Sequence, residues 1–268
     1  MENLFLPQKV EYQPDKENEN KGQIIIEPCW PGYGTTWSNA LRRVLLASLP
    51  GAAVTAVKIK GIKYEFSTLA GMQEDVLDVV LNLKLLRLKI LSDKQEPIRL
   101  NLKASGEGPV KAGDIEKSSD VEIVNPDLVI ANLTEKKASL EMEIWVDRGY
   151  GWIPSEEKSR IGLDLGTIVV DSIFSPVLRV SVNIDNIRVG KRTDFDKVIV
   201  GIETDGSISP FEAFLTSARL LKEQFSSLIQ LAEDIQPKEK KEVKIKKQTK
   251  IKNKAESKKV KKEKKAKK

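Results

Sequence analysis

Between Gly32 and Gly51 the apolar positions recur at helical spacing. With successive residues 100° apart, Trp37, Ala40, Leu41, Val44, Leu45 and Ser48 share one side, the wide apolar stripe of a core or interface helix. Asn39, Arg42, Arg43 and Leu46 share the other, and a leucine among arginines points to a second face that also meets a partner. Thr35, Thr36 or Ser38 is placed to cap the start, and Pro50-Gly51 stops the helix. Paired arginines also fit a wet surface. The Gly32-Tyr33-Gly34 lead-in lacks the further glycines or the Gly-Lys-Ser/Thr end of a phosphate-binding loop.

The pattern elsewhere predicts an α+β chain. Residues 1–22 begin with Leu4, Phe5 and Leu6 and then turn charged and asparagine-rich, as an N-terminal arm; residues 23–27, with three consecutive isoleucines, suit a buried strand. From Ala53 the period becomes two, and Lys60-Gly61 reads as a hairpin turn between Val57/Ile59 and Ile62/Tyr64/Phe66. Residues 71–84 return to helical spacing, with Glu74, Asp75 and Asp78 near the front, where acids suit the helix dipole. Alternating segments at 86–90, 98–102, 121–124, 128–130 and 140–146 make a mostly β insert, and strands return at 167–174, 177–187 and 197–203. The last helix is the best signalled. Ser209 caps it, Pro210 takes the first position and Glu212 the third; Phe211, Phe214, Ala218, Leu221, Phe225, Leu228, Ala232 and Ile235 then recur at 3–4 spacing. A seam of that length meets another helix, either this chain's own or a partner's.

Charge divides the chain. Residues 238–268 hold 17 lysines against four glutamates, net +13, leaving 28 basic and 35 acidic side chains, net −7, for the rest. The absence of histidine removes the commonest general base and metal ligand, and the single Cys29 excludes an internal disulfide or a cysteine zinc site. Glu156, Glu157, Asp164 and Asp171 lack the spacing of a magnesium or calcium loop and read as surface acids. Arg148-Gly149-Tyr150-Gly151-Trp152 is read as a turn rather than a base-stacking platform. No catalytic, cofactor or metal residues are assigned. With no signal peptide or apolar run of membrane-spanning length, a cytoplasmic, reducing compartment is expected.

Gly32-Tyr33-Gly34, Thr36, Asn39-Ala40-Leu41-Arg42-Arg43 and Leu45-Leu46 together resemble the signature helix of the bacterial-type RNA polymerase alpha subunit family. Seven further blocks follow in the family's order. They are Gly71-Met72-Gln73-Glu74-Asp75-Val76, Leu81-Asn82-Leu83-Lys84, Gly108-Pro109-Val110, Val121-Glu122-Ile123-Val124, Ser175-Pro176-Val177, Arg192-Thr193-Asp194 and Thr204-Asp205-Gly206-Ser207-Ile208. Trp37-Ser38 and Cys29-Trp30-Pro31 depart from the usual pattern and affect local packing. The resemblance implies a dimerisation domain from residues 1–49 and 173–235, interrupted by an insert domain at 50–172. It implies a homodimer that carries the beta and beta-prime subunits and no catalytic residues of its own. It places the dimer contact at Trp37, Leu41, Val44, Leu45, Phe211, Phe214, Ala218, Leu221, Phe225 and Leu228. It places the beta contact at Arg42, Arg43, Gln73, Glu74 and Asp75, and the beta-prime contact at Arg192, Thr193 and Asp194, although each of these could instead form ion pairs within the chain.

The family usually continues through a linker into a compact DNA-gripping domain; here residues 236–268 form a lysine-rich tail too poor in apolar residues to order itself. Promoter recognition by that route is therefore expected to be absent. Lysine supplies charge without sequence reading, so the tail is expected to touch DNA phosphates non-specifically, with RNA, an acidic protein or mere solubility as competing roles.

Overall fold

The three isoleucines Ile24, Ile25 and Ile26 are buried on an inner strand of a four-stranded sheet, and Ile24 and Ile26 belong to the first core. A computed structural model describes residues 6–92, 96–158 and 164–235, without the side chains of 234 and 235. The chain runs β1 (Lys9–Pro14), β2 (Lys21–Cys29), α1 (Tyr33–Ala47), β3 (Pro50–Ile59), α2 (Val76–Lys84), β4 (Leu88–Ile90), β5 (Ile98–Ser105) and β6 (Gly108–Lys111). It continues through β7 (Val121–Ile123), β8 (Val129–Leu133), β9 (Ser139–Tyr150), β10 (Trp152–Ile153), β11 (Thr167–Val169), β12 (Ser172–Ile173), β13 (Val177–Val189), β14 (Arg192–Thr204) and α3 (Pro210–Ile235). Helices and sheets together make an α+β fold.

Residues 6–221 form one compact unit with two apolar clusters. The first lies on the antiparallel sheet β1-β2-β14-β13 and joins Ile24, Ile26 and Cys29 to Leu41, Leu45 and Leu49 of α1 and its exit, to Val177, Val180, Val198, Val200 and Ile202, and to Ala213 of α3. The second runs from Val54 to Val170 and fills the space around the sheet β5-β9-β3-β4-β7, with α2 contributing Val76, Val79, Val80 and Leu83. β3 follows α1 after two residues, and Gly51 is needed there, because a Cβ would stand 1.8 Å from the Phe174 carbonyl oxygen. Residues 222–235, the remainder of α3, belong to a second unit and are exposed throughout to Glu233.

Several local expectations need correction. Within the N-terminal arm, residues 9–14 form a strand that the pattern does not predict, paired with β2 in the register Lys9↔Glu27 to Pro14↔Gly22, and Tyr12 packs on the first cluster. The turn at Lys60-Gly61 closes no hairpin. One side of β3 is taken by β9, whose pairing Lys60 N prolongs to Glu141 O, and the other by β4 and β11, so residues 62–66 have no strand to join. Tyr64 and Phe66 are accordingly exposed. The second helix begins at Val76, five residues later than its pattern suggests, because Asp75 is its cap and accepts from Asp78 N at 2.8 Å. The apolar run 167–174 divides into the short strands β11 and β12, and Gly151 joins β9 to β10 at φ +60. The tail 236–268 lies outside the described residues.

A candidate partner-binding surface around the first helix

α1 is started by backbone, not by a hydroxyl. Gly32 is the N-cap at φ 80, a left-handed conformation suited to glycine, and makes no side-chain cap bond; Thr35, Thr36 and Ser38 do not cap, and Ser38 Oγ instead donates to Thr35 O. The acceptor comes from β14, where Asp196 Oδ2 accepts from Gly34 N at 2.9 Å. Asp196 is buried, so its carboxylate lies against the positive end of the helix away from water. A Cβ on Gly34 would stand 2.7 Å from that same oxygen. Both glycines of Gly-Tyr-Gly thus have a mechanical reason, and neither involves phosphate.

The stripe that α1 buries is narrower than its pattern and rotated from it. Gly34, Ser38, Leu41 and Leu45 face the core, whereas Trp37 is 41% exposed and Val44 half-buried. Leu46, expected on the outer face, packs against the first cluster. Leu41 and Leu45 are therefore consumed by the chain's own core, and of the residues expected in the dimer contact α1 leaves Trp37 exposed and Val44 half-buried. The two arginines also differ. Arg42 Nη1 donates to the Val180 carbonyl on β13 at 3.1 Å, while Arg43 is exposed and has no hydrogen-bond or ion-pair partner among the described residues.

Gln73, Glu74 and Asp75 belong to the loop before α2, on the second cluster. Gln73 N donates to Asn132 O at 2.9 Å with its side chain exposed, and Asp75 caps the helix. Glu74 grips Asn132 with both oxygens, accepting from its backbone N at 2.7 Å and from Nδ2 at 2.6 Å. Among the described residues no hydrogen bond or ion pair joins this loop to Arg42 or Arg43.

At the start of β14, Arg192 forms a two-pronged pair with Asp194, Nε to Oδ1 at 3.0 Å and Nη2 to Oδ2 at 2.8 Å. Its guanidinium also lies 5.2 Å from the Trp30 ring centre and 5.4 Å from that of Phe195, and those rings meet edge-on at 5.8 Å. The hydrogen bond from Arg192 holds the Asp194 carboxyl below the usual carboxylate range. Thr193 is exposed between them. Trp30 and Asp196 were not legible as site residues; no spacing in the sequence links them to α1 or to Arg192.

On α3, Ser209 Oγ accepts from Glu212 N at 3.2 Å, as a capping residue should. Ala213 and Ser217 are its most buried positions. Phe214, Ala218 and Leu221 are half-buried on the first cluster, and Phe211 is 43% exposed with its ring 5.4 Å from Tyr12. Phe225 and Leu228 are exposed. Of the acids weighed as a metal site, Asp171 accepts from Lys84 Nζ at 2.9 Å and Asp164 from Lys58 Nζ at 2.7 Å. Among the described residues no cluster of three or more metal-ligating side chains forms.

A family model described as the RNA polymerase Rpb3/RpoA insert domain matches residues 57–175. The DNA-directed RNA polymerase subunit alpha of Symbiobacterium thermophilum is 49% identical over 226 residues, 84% of this chain and 71% of the relative. The chain belongs to the DNA-directed RNA polymerase alpha subunit family. The subunit alpha of Desulforudis audaxviator is 49% identical over 218 residues, covering 81% and 68%, and that of Alkaliphilus metalliredigens 46% over 231, covering 86% and 72%. Its enzymatic setting is a nucleotidyltransferase complex, as one subunit of a DNA-directed RNA polymerase. No helix among the described residues is long and apolar enough to cross a membrane.

Proposed function

We propose that this alpha subunit acts without catalytic or cofactor-binding residues of its own, as a cytoplasmic homodimer on which the beta and beta-prime subunits assemble. The observation that carries the reading is α3, where Phe225, Leu228, Ile229 and Leu231 are each 58–60% exposed on one helix. An apolar row of that size on a soluble surface calls for a partner. The dimer contact then draws on Trp37, Val44, Phe211, Phe225 and Leu228, while Leu41, Leu45, Phe214, Ala218 and Leu221 support it from the core side. Residues 1–49 with 173–235 serve as the assembly domain and 50–172 as the insert, a division supported by the two separate apolar clusters.

Recruitment of beta is assigned to Arg43 first, then to Arg42, which is tied to the Val180 carbonyl, with Gln73 and Asp75 as a second patch whose loop is shaped by Glu74. Beta-prime is assigned to Arg192, Thr193 and Asp194, a rigid charged group on an aromatic base. The tail after Gln236 is assigned to non-specific contact with DNA phosphates. Affinity purification of the tagged chain from its source tests the whole reading. Two very large subunits should accompany it in stoichiometric amount; their absence, or DNA affinity alone dominating the pull-down, would favour a free-standing basic-tailed nucleic-acid-binding protein instead.

A further inference from the structure

Lys158 follows the short 3-10 turn Ser155–Glu157 and is half-buried in a cleft of about 340 Å³ lined by Trp145, Ile153, Val169 and Phe174, with Asp147 and Arg148. Its Nζ donates to the Val170 carbonyl and to Ser172 Oγ, and that buried hydroxyl donates in turn to Val54 O at 2.5 Å. The acids near it are already engaged. Asp171 accepts from Lys84 Nζ and from Ser155 N, both at 2.9 Å, and Asp147 Oδ1 accepts from Arg148 N at 2.7 Å. Among the described residues Lys158 therefore forms no ion pair, although it has lost much of its water.

We propose that Lys158 is an acylation site, taking the acyl group of a small acyl phosphate admitted to this cleft. With two tetrahedral positions of Nζ held by Val170 O and Ser172 Oγ and one by the side chain, the fourth carries either the third proton or the lone pair. Burial lowers the amine to about 8, with Lys84 acting the same way and Asp171 and Asp147 opposing. In the step, the lone pair forms an N–C bond to the acyl carbonyl carbon and the C–O bond to phosphorus breaks. Inorganic phosphate leaves with that electron pair, and the extra amine proton passes to solvent. The amide product has lost the charge and retains one N–H for its two former acceptors.

At about pH 7.4 roughly a fifth of such amines are neutral, against about one in a thousand at the ordinary lysine value. Lower basicity reduces intrinsic nucleophilicity by roughly tenfold if amines follow the Brønsted slope known for thiols, which leaves a net advantage of about tenfold or more. The full chain is incubated with acetyl phosphate across neutral to alkaline pH and peptides are quantified by mass spectrometry. Near neutral pH, Lys158 should be acetylated about tenfold faster than the exposed Lys63 and Lys89, and its rate should level off just above its own pKa while theirs keep rising. Lys158→Arg should abolish that one peptide's acetylation and leave the others unchanged. A Lys158 rate no higher than that of Lys63, a profile that never levels, or acetyl found on Ser172 would each overturn the assignment.

Discussion

Gly34 N and Asp196 Oδ2 meet at 2.9 Å across 162 residues of sequence, and this bond sets the start of the signature helix on β14. Replacing Asp196 by Ala leaves a donor at the helix start without its acceptor inside a buried site. Urea unfolding should show a loss of about 1–3 kcal/mol, the usual cost of stranding a buried hydrogen-bonding group. Gly34→Ala should destabilise as well, since its Cβ falls within 2.7 Å of the same oxygen. An Asp196→Ala variant as stable as the parent would mean that water satisfies Gly34 N equally well.

Arg42 and Arg43 should separate in a recruitment assay. Arg43→Ala removes a side chain with no hydrogen-bond or ion-pair partner among the described residues and should weaken capture of the beta subunit by about 2–5 kcal/mol, as loss of one partner in a buried interfacial charge pair does. Arg42→Ala should show a smaller binding effect together with a small stability loss, because its bond to Val180 O is internal. Equal binding losses with unchanged stability would place both arginines in the contact.

Phe225→Glu and Leu228→Glu should convert the proposed dimer to monomer in sedimentation equilibrium while leaving the circular dichroism of the folded chain intact, since both side chains are exposed within one chain. Leu45→Glu should behave differently and unfold the chain, because Leu45 is 0% exposed in the first cluster. Dimers that persist in both helix variants would locate the self-contact elsewhere.

Asp171 predicts an acid-side stability step. Its carboxyl is held down to about 2, first by the hydrogen bond from Lys84 and then by that from Ser155 N. A carboxylate depressed in the fold contributes stability that is present above its unfolded value of about 3.9 and is lost as pH falls through the folded value. Denaturant midpoints should therefore drop for the parent between those two pH values, and the drop should shrink in Asp171→Asn. A parallel fall in both proteins would exclude this ion pair as a source of the acid sensitivity.

Removal of residues after Gln236 should spare the dimer and subunit assembly and lower the polymerase's DNA affinity. It should also flatten log affinity against log salt by up to about 0.9 for each phosphate that the tail no longer neutralises. Promoter preference should not change, because binding to the DNA backbone carries no sequence information directly. Salt titrations of full-length and truncated enzyme on two unrelated duplexes decide it. Identical slopes would remove the DNA role, and a change on one duplex alone would show sequence reading.

The sequence by itself determined whatever depends on local chemistry and on matched wording. Ser209, Pro210 and Glu212 signal the start of α3 because a cap is satisfied within four residues, and the ordered blocks from the signature helix to Ile208 carry the family. Charge likewise assigns basicity to the tail by simple counting. Tertiary structure decided what distant segments share. Periodicity alone made Trp37 and Leu41 equivalent, yet the sheet covers only the Leu41 side, so one faces outward and the other is core. The two adjacent arginines became distinct only because β13 brings a carbonyl to Arg42, and Lys60-Gly61 failed to close a hairpin because β9, β4 and β11 already occupied both edges of β3. The glycines of Gly32-Tyr33-Gly34 were visible from the start, but Gly34's need to be glycine lay in Asp196, and a hydrogen bond across 162 residues leaves no periodic trace in either segment.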